Sequence, residues 1–527
     1  MKQITNLSLV SPGFFGLNTQ ESGVTISPNF AQLTDNVVID KYGRLGARKG
    51  WDMQTTSGSG SLGGNSIKFM LEHVNADNTT TIISGGNNKV WTGGIGATLT
   101  DITPAAYTVS ADRWKGASIN DIALLVQQGQ EPLVYNAVAS PVCQKITTYR
   151  SAAVQNFGSS YPQDVIAAWG RFWTHDGDTV YWSTDIADTA FPAFYGGTSG
   201  TLNIASVLPN NADTIVSIAA HNDLLVILCK NNIVLYSGAA NPIGVAFQLA
   251  DVITGVGCIA RDSVQATGND LIFLSDTGVR SLGRLIQEKS LPLRDLTKNV
   301  RDDLLNDIAT ELANSGDLDD VVSVYSETNA FYLLSFPYSD IIYCLDMRSV
   351  LEDGSNRVTT WYNYQADSFL RRRNRDLLIG KTNGIGKYAG YEDNGTAFRM
   401  RYFSHFVDFG NSTLKKMLKQ IATTVVGGAN QTFVIKAAFD YENIANSYVF
   451  TIPPQGTIAE YGIAEYGDNA ATVAEYTLGI VIDNVKSSVG GSGNVIQLGF
   501  EADVNGSELS VQKIDAFVKT GKVSWYG

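Results

Sequence analysis

The feature that most constrains the fold is a repeated rhythm of short apolar strands and turns between about residues 67 and 395. One unit contains the strand-like segments "IKFMLEHV", "TTTIISGG", "KVWTGG" and "TLTDIT", separated by turns. Each unit occupies about 40–50 residues, which is the length of a four-stranded propeller blade. Neither a WD40 nor a kelch signature accompanies the rhythm, so the repeat is degenerate in sequence. We therefore predict a β-propeller over residues 61–395, with a series of β-sandwiches as the competing interpretation.

The composition supports an all-β fold. The chain has 527 residues with 51 Gly, 23 Tyr and 22 Phe, and only 17% of its residues are charged. Aromatic residues favour strands and glycines favour turns, whereas a helical protein of this size would carry more charge on its surfaces. Hydrophobic residues make up 44% of the chain, which is enough for a large core.

One stretch breaks the strand rhythm and is predicted to be an amphipathic helix inserted between blades. It covers residues 291–312, "LPLRDLTKNVRDDLLNDIATEL". Its apolar residues recur at spacings of three and four: Leu293, Leu296, Val300, Leu304, Ile308 and Leu312. We expect this stripe to pack on the propeller, with docking on a neighbouring subunit as the alternative.

The strands become longer after residue 396. Segments such as "RMRYFSHFVDFG", "QTFVIKAAFDYE" and "NVIQLGFEADV" alternate apolar and polar residues and predict a C-terminal β-sandwich over residues 396–527. Between them the triplet Ala-Glu-Tyr occurs at 459–461, 464–466 and 474–476. A five-residue offset places Tyr461 and Tyr466 on opposite faces of a strand, so an exposed loop is favoured over a strand buried on both sides.

Charge and cysteine usage restrict the function classes. The net charge is -13, so general affinity for nucleic acid is not expected. The four cysteines (Cys143, Cys229, Cys258 and Cys344) lie far apart without a C-x-x-C pair. We expect buried free thiols in a chain made in the reducing cytoplasm, and no metal site. No apolar run is long enough to span a bilayer, and no secretion signal is visible.

Motifs that carry chemistry are missing from the sequence. No G-x-S-x-G elbow is present, and the four His residues are scattered. "IGKT" at Ile379–Thr382 fails as a phosphate-binding loop because Arg375 stands where the first glycine is needed. We therefore predict no catalytic, cofactor-binding or metal-ligating residues and no enzymatic activity. A pair of carboxylates for glycoside hydrolysis is not excluded, because the distance between two carboxylates cannot be read from a sequence.

The densest positive cluster is "RRRNR", and it has three possible roles. It supplies Arg371, Arg372, Arg373 and Arg375 in an otherwise acidic chain. A solvated loop, an ion-paired contact between subunits and a phosphate contact are the interpretations, in that order.

Three stretches together resemble a known family. They are "PGFFGLNTQESGVTISPNFAQLTDNVVIDKYGRLGARKGW" (Pro12–Trp51), a segment within Leu224–Leu282, and "HFVDFGNSTLKKMLKQI" (His405–Ile421). They resemble the tail nozzle proteins of short-tailed bacteriophages, also called tail tubular protein B, and the related packaged-DNA stabilisation proteins. The N-terminal block, with "GLNT", "DNV" and an Arg-Lys-Gly-Trp end, is the most specific part.

The resemblance implies a structural role in a virion tail. Six copies would ring the tail axis below an adaptor (tail tubular A-like) ring, beside tail fibres or spikes. The tube would retain packaged double-stranded DNA and conduct it during ejection without sequence-specific binding. The N-terminal segment 1–60 would join the C-terminal sandwich in a platform that meets the adaptor. Its hairpin, Asp35–Trp51, would offer four interface anchors: Arg44, Arg48, Lys49 and Trp51. The three basic residues among them are expected to be exposed. Two alternative functions stay open. One is a tail-borne carbohydrate-active propeller, such as a depolymerase or a sialidase-like enzyme, and the other is a non-enzymatic scaffold or receptor-binding module outside phage.

Overall fold

The computed structural model divides into two compact units. Met1–Trp51, Val358–Trp361 and Ala389–Gly527 form the first, here called the platform unit. Asp52–Arg357 and Tyr362–Tyr388 form the second, the propeller unit. The structure describes residues 4–10, 13–21, 26–40, 42–56, 62–75, 77–150, 157, 161–208, 213–287, 295–442, 446–452 and 482–521. The Ala-Glu-Tyr triplets lie outside these residues.

The N-terminal part of the chain forms short strands. They are β1 (Ile4–Leu9), β2 (Gly16–Leu17), β3 (Phe30–Asp35), β4 (Val37–Ile39), β5 (Leu45–Ala47) and β6 (Trp51–Met53). The predicted hairpin is present as β4 and β5, whose register pairs Val37 with Ala47 and Ile39 with Leu45. Gly43 occupies the turn at a φ of 76°, a conformation that glycine adopts without strain.

The propeller unit begins with four sheets of four strands each. The first contains β7 (Phe69–Val74), β8 (Thr80–Gly86), β9 (Lys89–Gly93) and β10 (Leu99–Asp101). The second contains β11 (Lys115–Ile119), β12 (Ile122–Gln127), β13 (Gln130–Tyr135) and β14 (Cys143–Lys145). The third contains β15 (Asp164–Ala168), β16 (Arg171–Asp176), β17 (Thr179–Trp182) and β18 (Gly200–Asn203). The fourth contains β19 (Ile215–His221), β20 (Leu224–Cys229), β21 (Asn232–Ser237) and β22 (Gln248–Thr254).

The remaining propeller sheets are less regular. A three-stranded sheet contains β23 (Gln265–Ala266), β24 (Leu271–Ser275) and β25 (Gly278–Ser281). The next strands in order are β26 (Val322–Ser326), β27 (Phe331–Phe336), β28 (Ile341–Val350) and β29 (Asn356–Tyr362). The last sheet joins β30 (Ser368–Arg371), β31 (Leu377–Lys381) and β32 (Gly384–Tyr388) to β6.

The first strands of successive sheets follow one another in a closed ring. β7 lies beside β11, β11 beside β15, and β15 beside β19. A 3-10 turn at Arg261–Ser263 continues the ring to β26, which lies beside β30, and β30 returns to β7. Apolar residues fill the space between neighbouring sheets, as Phe69, Trp114 and Leu125 do between the first two. This arrangement is a β-propeller, as the strand rhythm predicts.

The predicted helix is present but shifted along the chain. A 3-10 turn at Lys298–Val300 leads into the long helix α3 (Arg301–Ser315), while α1 (Ile146–Tyr149) and α2 (Leu282–Gln287) are short. Val300, Leu304 and Ile308 are buried as expected, and α3 packs against β25 and β27 of its own propeller. Two parts of the prediction are wrong: Leu296 lies before the helix, and the side chain of Leu312 is 45% exposed. Residues 291–294, with Leu293, lie outside the described residues.

The platform unit is a sandwich built from both ends of the chain. Its C-terminal strands are β33 (Phe398–Ser404), β34 (Lys416–Gly427), β35 (Thr432–Phe439), β36 (Asn446–Thr451), β37 (Ile482–Ser487), β38 (Gly491–Gly493), β39 (Ile496–Val504) and β40 (Leu509–Thr520). One sheet has the order β37-β34-β40-β5-β4, with β1 on β40 and β38 on β34. The facing strands run β3-β33-β39-β35-β36, with β2 on β3. One buried cluster joins residues of both sheets, among them Phe14, Tyr402, Ile421 and Phe500. The fold class predicted from the sequence is confirmed.

The state of the cysteines and the presence of membrane-spanning helices can be compared directly with the sequence predictions. All four cysteines are buried with free thiols, as expected. In the part of the chain that the structure describes, no helix combines the length and apolarity needed to cross a membrane.

Candidate functional site

A cavity of about 950 Å³ opens in the propeller unit and is the candidate site; we call it the funnel. Its walls come from the residues just before β11, β15, β19 and β23, from the turns between second and third strands, and from the end of α3. These positions lie on the same end of successive sheets, so turns from several blades converge there. The residues that line the funnel include Arg113, Gln127, Asp176, Lys230, Arg261, Asp276, Ile308, Leu312, Asp317, Leu318 and Asp319.

A buried charge network holds the floor of the funnel. The Arg261 guanidinium donates to a carboxylate oxygen of Asp262 at 2.6 Å and to the Gln163 carbonyl oxygen at 2.7 Å. Lys115 Nζ donates to the other Asp262 oxygen at 2.6 Å. Burial would raise the pKa of Asp262, but the charges of Arg261 and Lys115 outweigh it and hold this pKa at about 2. Because Arg261 and Lys115 share the single Asp262 carboxylate, this network is a fixed structural element that keeps one net positive charge at the floor of the funnel.

Arg113 joins the wall of the funnel to the segment that follows α3. Its Nη1 lies 2.7 Å from Asp317 Oδ2 and 3.1 Å from Asp319 Oδ2, and its Nη2 lies 3.8 Å from Asp320 Oδ2. Burial raises the pKa of Asp319, and the Arg261 charge opposes that rise. Lys68 Nζ adds a bond of 3.1 Å to Asp320 Oδ1. These contacts fix the end of α3 over the blades that carry Lys68 and Arg113.

The side-chain amide of Gln127, in the wall of the funnel, has a hydrogen-bond partner for its oxygen but none among the described residues for its nitrogen. The side chain of Gln127 is 3% exposed, and its Oε1 accepts the Arg113 backbone N–H at 2.8 Å. Its Nε2 is buried and has no hydrogen-bond partner among the described residues. A buried amide donor without an acceptor is costly, and this nitrogen is shielded from the cavity by its neighbours, so it is a structural cost of the wall and not a ligand contact.

The chemistry available in the funnel is binding chemistry. Exposed and half-buried carboxylates and an apolar wall of Ile308, Leu312 and Leu318 line it. Among the lining residues that the structure describes, none is aromatic. Among the described residues, no group of three or more His, Cys, Asp or Glu is placed to hold a metal ion.

The sequence predicts no binding role for any funnel residue: Ile308 and Leu312 appear only as members of the predicted helical stripe. Arg113, Gln127, Arg261 and Asp319 lie in four different parts of the chain and form no spaced motif. Their only shared signal is position, because each sits next to a predicted blade strand. These residues come together only when the sheets close into a ring. Predicting that they meet would require knowing the number of blades.

Arg48, predicted as an exposed interface residue, is instead completely buried, so that expectation is wrong. Its guanidinium pairs with both carboxylate oxygens of Asp393 at 2.8 and 2.7 Å, and its Nε donates to Asn36 Oδ1 at 2.8 Å. It also lies 4.0 Å from the centroid of the Phe398 ring. Arg48 therefore ties the start of the platform unit to its C-terminal part and cannot contact another protein.

The other three hairpin candidates keep some exposure. Arg44 is half-buried, and its guanidinium lies 4.6 Å from the ring centroid of Tyr42, whose side chain is 58% exposed. Lys49 is exposed and Trp51 is half-buried. The Trp51 backbone N–H donates to the Glu392 carbonyl oxygen at 3.0 Å.

The arginine cluster lies at the turn between β30 and β31, and two of its members are used within the chain. Arg371 pairs with Glu327. Arg372 Nε lies 3.1 Å from Glu72 Oε1. These pairs connect the last sheet to both of its neighbours in the ring. Arg373 and Arg375 are exposed, and no carboxylate of the described residues lies within ion-pair distance of their guanidinium groups.

Comparison with known proteins gives structural similarities only. No family model matches the chain, and no curated protein matches it. The WD40 β-propeller domain of Doa1 is similar at 10% identity and a TM-score of 0.35, with 62% of this chain and 96% of that chain covered. YCF48 bound to D1 peptide is similar at 8% identity and a TM-score of 0.35, covering 64% and 98%. A protein from Lactobacillus plantarum has 10% identity and a TM-score of 0.34, covering 64% and 91%. No function follows from these similarities, and the propeller assignment rests on the ring of sheets.

Proposed function

We propose that the chain is a structural protein of a short-tailed phage tail. Six copies form a nozzle below an adaptor ring, retain packaged double-stranded DNA and conduct it during ejection. The observation that carries the proposal is the insertion of the propeller unit into a platform unit made from both chain ends. That division into a propeller and a platform is the one implied by the resemblance of Pro12–Trp51 to tail nozzle proteins.

The charge of the chain fits a conduit. Six copies would carry 6 × (-13) = -78 formal charges. An acidic wall repels the DNA backbone, so a duplex would slide past it without being held. Exposed Arg373 and Arg375 are the candidates for a contact with a neighbouring subunit or with phosphate. Tail fibres or spikes would attach from outside.

The adaptor contact is assigned to the exposed part of the platform hairpin. With Arg48 excluded, Arg44, Lys49 and Trp51 remain, next to exposed Tyr42. Arginine and aromatic side chains are frequent anchors of protein interfaces. The virion tail is the proposed location, after synthesis in the host cytoplasm.

The carbohydrate-active alternative has one supporting observation. Asp317 and Asp319 share the Arg113 guanidinium, so two carboxylates lie close together in an open cavity. Both are ion-paired with that single arginine, and none of the lining residues that the structure describes is aromatic. The structural role is therefore preferred. Release of sugars from host glycans by the purified chain, lost in Asp319→Asn, would reverse this preference.

Complementation of particles made without the chain tests the structural role. We expect such particles to package DNA and lose it, and the wild-type chain to restore retention. Arg44→Glu combined with Lys49→Glu should fold normally and fail to dock, because it reverses charge at the adaptor contact. Lys415→Glu combined with Lys419→Glu is the matched control, since both lysines are exposed on the platform away from the hairpin. Full retention of DNA without the chain would contradict the proposal.

A further inference from the structure

Three successive blades of the propeller expose apolar side chains in the same connection, between the third and fourth strands. They are Val138 in the second sheet, Tyr195 in the third, and Ile243 and Val245 in the fourth; we call them the apolar tips. We propose that the apolar tips insert into the surface of an uncharged lipid bilayer, so that the propeller unit binds a membrane from one side without crossing it. This inference does not depend on the tail-nozzle function.

The apolar tips are far more exposed than a packed surface residue. Val138 is 90% exposed and Val245 is 102% exposed, as fully as in an extended chain, and Tyr195 and Ile243 are each more than half exposed. Single exposed apolar residues are common on proteins. A group of them on one side of a molecule marks an interaction site with protein or membrane.

The group is confined to the second, third and fourth sheets. In the first sheet, the corresponding connection between β9 and β10 carries Ile95, which packs on a buried cluster. In the connection between β28 and β29, residues 351–355, the exposed residues are Glu352 and Asp353. The apolar tips therefore form an arc on part of the propeller and are not a general property of its blades.

The connections that carry the apolar tips lie at the end of the propeller opposite the funnel. Neighbouring strands in these sheets are antiparallel, and the funnel lies where second strands turn into third strands. Connections from third to fourth strands are therefore at the other end. Successive blades are related by rotation about the ring axis, so equivalent connections lie at similar heights along that axis. Tips that share a height can meet a flat surface together, as a bilayer requires.

The connections hold the apolar tips in fixed positions. Asn136 Oδ1 accepts the Val138 backbone N–H at 3.0 Å. In the fourth sheet, the ring of Phe247 packs on Trp182 and Tyr236, with ring centroids 5.7 and 5.2 Å apart. A connection that is already ordered loses little conformational entropy when it binds. The exposed side chains are thus presented by rigid turns.

The segments that carry three of the four tips have no charge to keep out of a hydrocarbon layer. Residues 136–142, "NAVASPV", and residues 238–247, "GAANPIGVAF", contain no Asp, Glu, Lys or Arg. The connection in the third sheet contains Asp185 and Asp188, and both are half-buried, whereas Tyr195 is exposed. A tyrosine suits the boundary between headgroups and acyl chains, because its ring is apolar and its hydroxyl is polar.

The charges at this end favour an uncharged bilayer over a second copy of the chain. The turns between first and second strands lie at the same end and carry Asp121 and Asp223. Two copies docked through their apolar tips would bring these carboxylates towards one another. Anionic lipids would be repelled in the same way. A zwitterionic bilayer takes up the apolar side chains without that repulsion.

Flotation of the full chain with lipid vesicles tests the proposal. The probe is phosphatidylcholine vesicles, with vesicles that also contain phosphatidylglycerol for comparison. The wild type should float with phosphatidylcholine, and high salt should not release it, because no cation attracts it to the lipid. Val138→Ser combined with Ile243→Ser and Val245→Ser should lower the partition coefficient at least about tenfold, because less apolar surface enters the bilayer.

The matched control removes three exposed apolar side chains elsewhere. Leu312→Ser combined with Met417→Ser and Val449→Ser changes one residue at the funnel end of the propeller and two in the platform unit. Its partition coefficient should stay within about twofold of the wild type. Urea unfolding of both triple variants shows that each is folded under the conditions of the flotation.

A fluorescent label locates the contact independently of these triple variants. All four native cysteines are buried, so a cysteine introduced at an exposed position reacts selectively with a nitrobenzoxadiazole label. The label on Val245→Cys should shift to shorter emission wavelength when vesicles are added. The label on Leu312→Cys, at the other end of the propeller, should not.

Three results would overturn the proposal: wild type that does not float, equal flotation of the wild type and the apolar-tip variant, or binding that needs phosphatidylglycerol. Equal shifts of the two labels would do the same, because they would place the contact elsewhere. Self-association of the wild type in sedimentation velocity, lost in the apolar-tip variant and without flotation, would assign the tips to a contact between copies and also overturn it.

Discussion

At the scale of single residues, the clearest lesson concerns Arg48. The sequence places it between a short strand and the exposed Lys49, where a charged residue is normally solvated. Its partner Asp393 lies 345 positions away, and no local pattern connects the two. Hydrophobic periodicity cannot predict a buried ion pair between residues far apart in sequence, because each residue has the local pattern of an ordinary surface charge.

Replacing Arg48 should lower the urea concentration at which the platform unit unfolds. Arg48→Met leaves Asp393, whose side chain is 16% exposed, without its cation, and breaking such a pair costs up to about 3–5 kcal/mol. Lys49→Met, at the neighbouring exposed position, should change the stability by less than about 0.5 kcal/mol. Urea unfolding monitored by circular dichroism measures both. Equal stability of the two variants would show that the Arg48 pair contributes nothing.

His175 makes the stability of the propeller unit depend on pH. Burial lowers its pKa to about 4 from an ordinary value of 6.5, and the Asp164 carboxylate opposes this shift. The unfolded chain therefore binds a proton between pH 6.5 and 4 while the folded chain does not, so stability falls as the pH falls through this window. The loss is on the order of 3 kcal/mol.

Urea midpoints at pH 7.0 and 4.5 measure this loss in the wild type and in His175→Gln. The variant should lose less stability between the two pH values, because it lacks the titrating ring. His73 and His405, whose pKa values burial also lowers, contribute equally to both proteins. An identical pH dependence in the two proteins would rule out His175 as the source.

At the scale of elements, the strands and the helix follow from local pattern. Strand β12, "IALLVQ", is buried along its whole length, as expected for a strand inside a blade. Asn120 and Asp121, and likewise Asn222 and Asp223, have positive φ in two-residue turns between first and second strands. Such residues adopt that conformation readily, so these hairpins could be placed from the sequence. The start of α3 could not, because Leu296 belongs to the periodic pattern yet lies before the helix.

Two leucines of α3 should respond differently to truncation. Leu304 is completely buried, so Leu304→Ala leaves a cavity and should cost about 2–5 kcal/mol. Leu312 is 45% exposed, and Leu312→Ala should cost less than about 1 kcal/mol. Thermal or urea unfolding distinguishes the two. Equal losses would place Leu312 in the core, as the sequence pattern alone suggests.

At the scale of the whole molecule, ring closure determines what the sequence cannot show. The start of the propeller meets its last sheet where Ser368 Oγ donates to the Ile67 carbonyl oxygen at 2.7 Å. Gly380, in the "IGKT" stretch that resembled a phosphate loop, packs on the same carbonyl: an added Cβ would lie 1.9 Å from it. The blades were predictable from rhythm, whereas this junction and the funnel depend on how many blades close the ring.

Gly380→Ala should therefore weaken the closure of the propeller. The methyl group collides with the Ile67 backbone, and overpacking of this kind costs about 1–3 kcal/mol or more. Gly490→Ala, where an added Cβ meets nothing within 4 Å, is the control and should be close to neutral. The rate of proteolytic cleavage in the segments that join the first and last sheets of the propeller measures how readily this junction opens. Wild-type resistance of Gly380→Ala would contradict the proposed junction.

The central claim, a nozzle at the end of a short tail, is tested most directly by locating the chain on particles. An antibody against the purified chain, coupled to gold, would be applied to particles from the producing culture and imaged by electron microscopy. We predict label on the tail axis at its free end, below the portal vertex. Label on peripheral spikes, or particles that carry none, would contradict the claim.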